Sequence, residues 1–145
     1  MGLDMYLNAK RFLWHQEDEL SRKITENFPD LGEKRVKEIT LEAAYWRKAN
    51  AIHKWFVDNV QKGVDDCGSY EVSKEQLQEL LEVVEEVLSN KKKASTKLPT
   101  QSGFFFGKTD YDEWYFEDLE GTRDMLKDCL DEKWKGWYFE YHSSW

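Results

Sequence analysis

The sequence predicts an α+β fold, in which a small, mostly antiparallel sheet has about three helices packed on one face. Segments near both ends of the chain alternate apolar and polar residues, which is typical of half-buried strands. Three segments between them repeat apolar residues every three or four positions, which is typical of amphipathic helices. The 145 residues are enough for one domain with a proper core.

The strands are predicted from alternation. The first runs from Gly2 to about Lys10, and the second covers about Arg35 to Tyr45. Tyr70 to Val72 fits a short strand, and a last strand runs from Trp137 towards the end of the chain. Residues 15–33 are polar and contain breakers, so they are expected to form a loop with at most one helical turn.

The helices are predicted from apolar stripes and end signals. One extends from about Lys48 to Gln61. A second follows Ser73, whose spacing to Gln76 matches a capping box, and ends near Asn90. A third covers about 111–132, with Thr109 or Asp110 as its N-cap. The segment 103–107, three phenylalanines between two glycines, suggests a short buried strand.

Charge and composition exclude several classes of protein. The net charge of −8 and the pI near 5.0 argue against a general nucleic-acid binder. Cys67 and Cys129 lack metal-binding or CxxC spacing, so free thiols in a reducing compartment are expected. A secretory leader and a long apolar run are both missing from the sequence, which favours a soluble cytosolic protein. We expect no cofactor and no metal.

The most informative stretch is Tyr45–Phe56, which interleaves aromatic rings with cations. It overlaps a basic segment, Glu33–Lys54, which contains six Lys and Arg and three Glu. A basic island in an acidic body can concentrate a small anion while the body repels a long polyanion. The alternative interpretation is an amphipathic helix with core rings and a solvated basic face.

If the stretch binds a ligand, the residue types point to a planar anion such as a nucleotide. Arg47 and Lys48 stand at a strand-to-helix junction, where backbone N–H groups favour phosphate. Asn50 suits a base or ribose edge, and either Trp46 or Trp55 suits stacking on a base. The other predicted ligand-binding residues have polar or ring groups that would face the same ligand: His53, Gln101, Ser102, Thr109 and Tyr111.

Several features leave alternatives open. His53 is either a hydrogen-bonded core residue or a general base. The acids Asp110, Asp112, Glu113 and Glu117 either are solvated or bind a divalent cation, although they lack calcium-loop spacing. Of 22 aromatic residues, 13 lie between Phe104 and Trp145, more than one core face needs. The surplus fits the core, a pocket or a subunit interface, and a homo-oligomer is expected.

Three blocks of sequence resemble a family of small phage and prophage proteins. They are Met1–Leu7 (MGLDMYL), Tyr45–Phe56 (YWRKANAIHKWF), and Pro99–Gly107 (PTQSGFFFG) followed by Thr109–Tyr115 (TDYDEWY). Some members have been labelled phosphoglycerate kinase, a two-domain enzyme that 145 residues cannot hold. The resemblance implies a phage-encoded protein, and small acidic phage proteins often counter host defence.

The leading hypothesis is therefore a binding protein that sequesters a nucleotide-type immune signal of the host. Its partner would be a small anionic ligand, with no membrane association. A second hypothesis is an inhibitor whose acidic segments, Glu71–Glu86 and Asp110–Glu120, mimic nucleic acid or mask a basic host surface. A third is a small nucleotide-processing enzyme with His53 as its base.

Overall fold

A computed structural model, which describes residues 2–145, confirms the α+β class. One antiparallel sheet has the order β2-β1-β4-β3, where the strands are β1 (Asp4–Phe12), β2 (Glu38–Arg47), β3 (Ser69–Val72) and β4 (Tyr138–Ser144). The helices, which pack on the sheet, are α1 (Asp18–Thr25), α2 (Asn50–Asn59), α3 (Lys74–Ser89), α4 (Ala94–Lys97) and α5 (Glu113–Cys129). None of these described helices is long and apolar enough to cross a membrane.

The first and last strands pair at the centre of the sheet, and their alternation defines the core. Leu7 lies opposite Tyr141, and Ala9 lies opposite Phe139; all four are buried. The ring of Tyr141 stacks on Phe56 of α2, with ring centroids 4.0 Å apart and planes 9° apart. The predicted apolar stripe of α2 therefore packs directly on β4.

The predicted helices are all present, with one cap changed. Ser73 and Gln76 form the expected capping box at the start of α3. The cap of α5, however, is Asp112, whose carboxylate accepts the N–H of Tyr115 at 3.1 Å, so the prediction of Thr109 or Asp110 was wrong. All three residue types can cap a helix, and only the local backbone selects one.

Two segments differ from the prediction. Residues 103–107 form a turn, closed by a hydrogen bond from the Phe106 N–H to the Gly103 carbonyl, instead of a buried strand. Phe106 is buried there, but Phe104 is 95% exposed. The connection between β1 and β2 contains the eight-residue helix α1, which exceeds the expected single turn. Ser21 anchors it by accepting the N–H of Val36 at 2.7 Å.

A row of rings lies on the face of the sheet opposite the core. Tyr6 pairs with Tyr45 on β2 and with His142 on β4, and its ring centroid lies 5.3 Å and 6.1 Å from theirs. Tyr45 is 39% exposed, so this row of rings is accessible. The two cysteines are free thiols, and burial raises the pKa of Cys129 to about 12.

A buried hydrogen-bond network joins α2 to β4. The Tyr141 hydroxyl lies 2.7 Å from His53 Nδ1, and His53 Nε2 lies 2.9 Å from a carboxylate oxygen of Asp65. The other oxygen of Asp65 accepts the Trp145 indole N–H at 3.0 Å. With Nε2–H donating to Asp65 and Nδ1 accepting from the Tyr141 hydroxyl, both ring nitrogens have a partner. Burial raises the pKa of the Tyr141 hydroxyl well above its ordinary value, so it stays a donor.

Replacement of Tyr141 by Phe should lower the free energy of unfolding by about 1–2 kcal/mol, because His53 Nδ1 would be left buried without a donor. Urea denaturation measures this change. Tyr70→Phe is the control: its hydroxyl contacts Asp66 at 2.8 Å near the surface, and its loss should change stability by less than about 0.5 kcal/mol. Equal effects of the two substitutions would contradict the role given to the buried network.

Candidate functional site

A cavity of about 390 Å³ opens where β2 passes into α2 and faces the start of α5. Its volume lies in the range of small-molecule sites. One part of its lining, the first wall, comes from residues 47–52 together with Gly107 and Lys108, and another part, the second wall, comes from α5 and the residues just before it. The cavity thus lies at the strand-to-helix junction that the sequence singled out.

The first wall carries three cations. Arg47, Lys48 and Lys108 line the cavity, and all three are exposed. None of their side chains has an ion pair or hydrogen bond with any of residues 2–145. Their charges are therefore available to an anion that enters the cavity.

Lys48 makes the sharp turn from β2 to α2. Its φ of 57° is in the left-handed region, which costs a non-glycine residue about 1–2 kcal/mol. The Lys48 N–H donates to the Leu3 carbonyl at 2.7 Å, and the Lys48 carbonyl accepts the N–H of Asn50 at 2.9 Å. A β-carbon at Gly107 would lie 3.3 Å from Lys48 Cβ, so glycine allows this close approach. Backbone strain of this kind is concentrated at functional sites.

The N-terminus of α2 adds backbone donors to the same wall. No side chain among residues 2–145 caps this helix, and Ala51 and Ile52 in its first turn line the cavity. Within the described chain, their N–H groups have no hydrogen-bond acceptor. Free N–H groups at a helix start carry the positive end of the dipole and favour an anion.

Asn50 fixes the shape of this wall. Its side-chain NH₂ donates to the carbonyls of Phe106 and Lys108 at 2.9 and 2.8 Å, and its carbonyl oxygen accepts the N–H of Gln101 at 2.9 Å. The side chain is buried, and these bonds use most of its capacity. Asn50 therefore holds the loop 101–108 against α2 and keeps Lys108 at the cavity.

The second wall is acidic and aromatic. Asp110, Asp112 and Asp118 line it together with Trp114, whose side chain is 68% exposed. The Asp118 carboxylate has no hydrogen-bond or ion-pair partner among residues 2–145. Its burial, and then the charges of Glu117 and Asp112, raise its pKa to about 6. A carboxyl group with a displaced pKa in a cleft is a candidate functional group.

The structure divides the predicted site residues into four sets. Arg47, Lys48 and Asn50 line the cavity. Two more of the predicted residues contact Thr100, which lines the cavity. The Tyr111 hydroxyl accepts the Thr100 N–H at 3.3 Å, and the Thr109 carbonyl accepts the Thr100 hydroxyl at 2.9 Å. Gln101 and Ser102 follow in the same loop, outside the lining.

The remaining three predicted site residues lie in the interior. Trp46 is only 4% exposed, and its indole N–H donates to the Thr122 hydroxyl at 2.8 Å. Trp55 is 8% exposed and packs edge-on against Phe56. His53 is fully buried, with both ring nitrogens engaged. None of these three rings is part of the cavity lining.

The sequence-based set of site residues lacks Lys108, Trp114 and Asp118, which all line the cavity. Trp114 and Asp118 are four residues apart in α5 and so lie on one face of the helix. The spacing of these two residues indicates a shared helix face, but the acidic residues around them favoured the interpretation of a solvated helix start. In the described part of the chain, no three His, Cys, Asp or Glu residues are grouped to hold a metal ion.

Comparison with known proteins found no match to this chain. No family model matches it, no curated protein is significantly similar to it, and no solved structure is significantly similar to it. The resemblance to phage proteins stays a prediction from the three sequence blocks.

Lys48→Gly should stabilise the protein by about 0.5–1 kcal/mol relative to Lys48→Ala, because glycine adopts the left-handed conformation without strain. Urea denaturation of the two variants measures the difference, and both lose the same charge. A glycine variant that is less stable than the alanine variant would contradict the strained geometry of the junction.

The ionised carboxylate of Asp118, which has no partner among residues 2–145, should lower the free energy of unfolding at neutral pH. Its pKa rises from 3.8 to about 6 on folding, so the folded state holds the proton more tightly than the unfolded state does. The stabilisation that comes from this tighter proton binding is fully present below pH 3.8 and is lost as the pH rises through about 6. Asp118→Asn should therefore raise the free energy of unfolding by about 1–2 kcal/mol at pH 7.5, after a discount for solvent screening, and have little effect at pH 4.

Thermal or urea denaturation across this pH range tests the effect. Glu120→Gln removes an exposed carboxylate from the same helix and is the control. A stabilisation by Asp118→Asn that is the same at pH 4 and pH 7.5, or that matches the control, would contradict the account of this carboxylate.

Proposed function

We propose that the protein binds a small nucleotide-type anion in the cavity between α2 and α5 and acts by sequestering it. The supporting observation is the combination of unpaired cations and free helix N–H groups on one wall with an exposed tryptophan on the other. Each part matches one portion of a nucleotide.

The first wall suits a phosphate group. The guanidinium of Arg47 offers paired donors that match phosphate oxygens, and Lys48 and Lys108 add mobile point charges. The N–H groups of Ala51 and Ile52 add fixed donors that cost no reorganisation when the anion arrives. A phosphate here would neutralise the cations and would give the Ala51 and Ile52 N–H groups an acceptor, which they lack among residues 2–145.

The second wall suits a planar base. Trp114 is the exposed ring of the cavity and can stack on any base, a contact worth about 1–3 kcal/mol in single-strand binders. It takes the stacking role that the sequence suggested for Trp46 or Trp55, since both of those are buried. The ligand would thus span the cavity from α2 to α5.

The charges of the cavity favour a small ligand over a polymer. Three cations line it, and Asp110, Asp112 and Asp118 oppose them, within a protein of net charge −8. A long polyanion would meet repulsion from the acidic body as soon as it extended beyond the first wall. A ligand with its charge at one end avoids that repulsion.

Sequestration is favoured over catalysis by the position of His53. The enzyme hypothesis needs this histidine as a base, but it is fully buried and bonded to Tyr141 and Asp65. The resemblance to phage proteins suggests that the bound nucleotide would be a defence signal made by the host. Binding alone would remove such a signal from its receptor.

One specific observation favours the second hypothesis, an acidic inhibitor of a host protein. Helix α3 packs against α5, which brings the exposed acids of both helices onto neighbouring surfaces: Glu75, Glu79, Glu82, Glu113, Glu117 and Glu120. Capture of a host protein that is lost when the exposed acids of α5 are changed to Gln, but not when Arg47 is changed to Ala, would support this second function.

Isothermal titration with 5′-mononucleotides, cyclic dinucleotides and cyclic ADP-ribose isomers tests the proposal. At least one should bind, and Arg47→Ala should weaken it about tenfold to a hundredfold, because a charge-assisted contact to phosphate is lost. Arg123→Ala is the matched control, because that side chain contacts Asp124 away from the cavity.

A second pair of variants compares Lys48 with Lys62. Lys62, like Lys48, is an exposed lysine with positive φ, but it does not line the cavity. Lys48→Gly should weaken binding and Lys62→Gly should not, although both remove one charge and one strained side chain. No heat with any nucleotide, or equal effects of the paired variants, would refute the proposed site.

A further inference from the structure

Asp118 is a half-buried carboxylate on the wall that faces the base, and it requires hydrogen-bond donors. It lines the cavity and has no partner in residues 2–145. Its neighbours Glu117 and Asp112 are acids, so nearby charge increases the cost of ionising it, which agrees with its raised pKa of about 6. At neutral pH it is mainly ionised and can only accept hydrogen bonds.

Asp118 lies one helical turn beyond Trp114, and both side chains line the cavity. Side chains four residues apart on a helix have Cβ atoms about 5–6 Å apart. A base stacked on Trp114 therefore extends one of its edges towards the Asp118 carboxylate. The cavity volume of about 390 Å³ fits a single nucleoside unit at this position.

A carboxylate has two acceptor oxygens side by side and pairs best with two parallel donors. Among the common bases, guanine presents such a pair, N1–H and the 2-amino group, on one edge. Adenine presents its amino group next to a ring nitrogen that is an acceptor, which would face the second carboxylate oxygen unfavourably. The vicinal hydroxyls of ribose are another source of two donors, but a base stacked on Trp114 brings its own edge towards Asp118.

We infer that Asp118 is the specificity-determining residue of the cavity and that it selects a guanine nucleotide by accepting hydrogen bonds from N1–H and the 2-amino group. This inference rests on the proposed nucleotide site. The phosphate of the ligand would contact Arg47, Lys48 and the α2 N-terminus, and the guanine would lie on Trp114.

Titration calorimetry with GMP, IMP, AMP and ribose 5-phosphate tests the assignment. GMP should bind about tenfold to a hundredfold more tightly than AMP, since a good bidentate contact discriminates between bases by about that factor. IMP lacks the 2-amino group and should fall between them. Ribose 5-phosphate should bind weakly and should not respond to a change at Asp118.

Asp118→Asn gives the sharpest readout. The amide presents one donor and one acceptor, a pair that suits the N6 and N7 edge of adenine. The variant should lose most of its affinity for GMP and gain affinity for AMP, so that the preference for GMP is removed or reversed. If Asp118 had a purely structural role, the substitution would weaken the binding of GMP and of AMP to the same extent. A thermal unfolding scan of the variant establishes that it is folded.

The outcomes distinguish failure of the guanine assignment from failure of the proposed nucleotide site. If GMP and AMP bind equally, and both depend on Arg47 but not on Asp118, the nucleotide site stands and the guanine assignment is overturned. If the Asp118 dependence appears with ribose 5-phosphate as well, the donors come from the sugar, which also overturns it. If no nucleotide binds, both are refuted.

Discussion

The cavity depends on one buried side chain, that of Asn50. Its three hydrogen bonds to Gln101, Phe106 and Lys108 hold a loop from late in the chain against the start of α2. Without that clamp, Lys108 and Gly107 would not form the wall beside Arg47 and Lys48. Because amide groups buried without partners are costly, the loop and the helix start are ordered together.

The same junction places Arg47 and Lys48, which have no ion pair among residues 2–145, beside the cavity. The left-handed turn at Lys48 ends β2 and starts α2 within a few residues, so Arg47 and Lys48 project at the mouth of the cavity. The stack of Phe56 on Tyr141 and the buried bonds of His53 fix α2 to the central strands. A rigid helix start can present N–H groups to a ligand without being reordered on binding.

The sequence predicted the helices better than the site because periodicity reports burial, whereas a site needs contacts between distant segments. The stripe of α2 assigned Ile52 and Phe56 to the core correctly, and the basic residues before it marked the junction. Trp46 was misjudged as accessible because its exposure depends on which face of β2 it occupies, and a register shift opposite Leu7 and Asn8 affects that strand. The pairing of α2 with Trp114 and Asp118 across the cavity has no local signal at all.

The most direct test of the central claim is a ¹H–¹⁵N correlation spectrum during titration with GMP. The free N–H groups of the α2 N-terminus and the exposed indole should both contact the ligand. The account predicts that the amides of Ala51 and Ile52 and the indole N–H of Trp114 shift together along one binding curve. Saturating GMP that leaves these three signals unmoved, or that shifts only signals elsewhere in the chain, would contradict it.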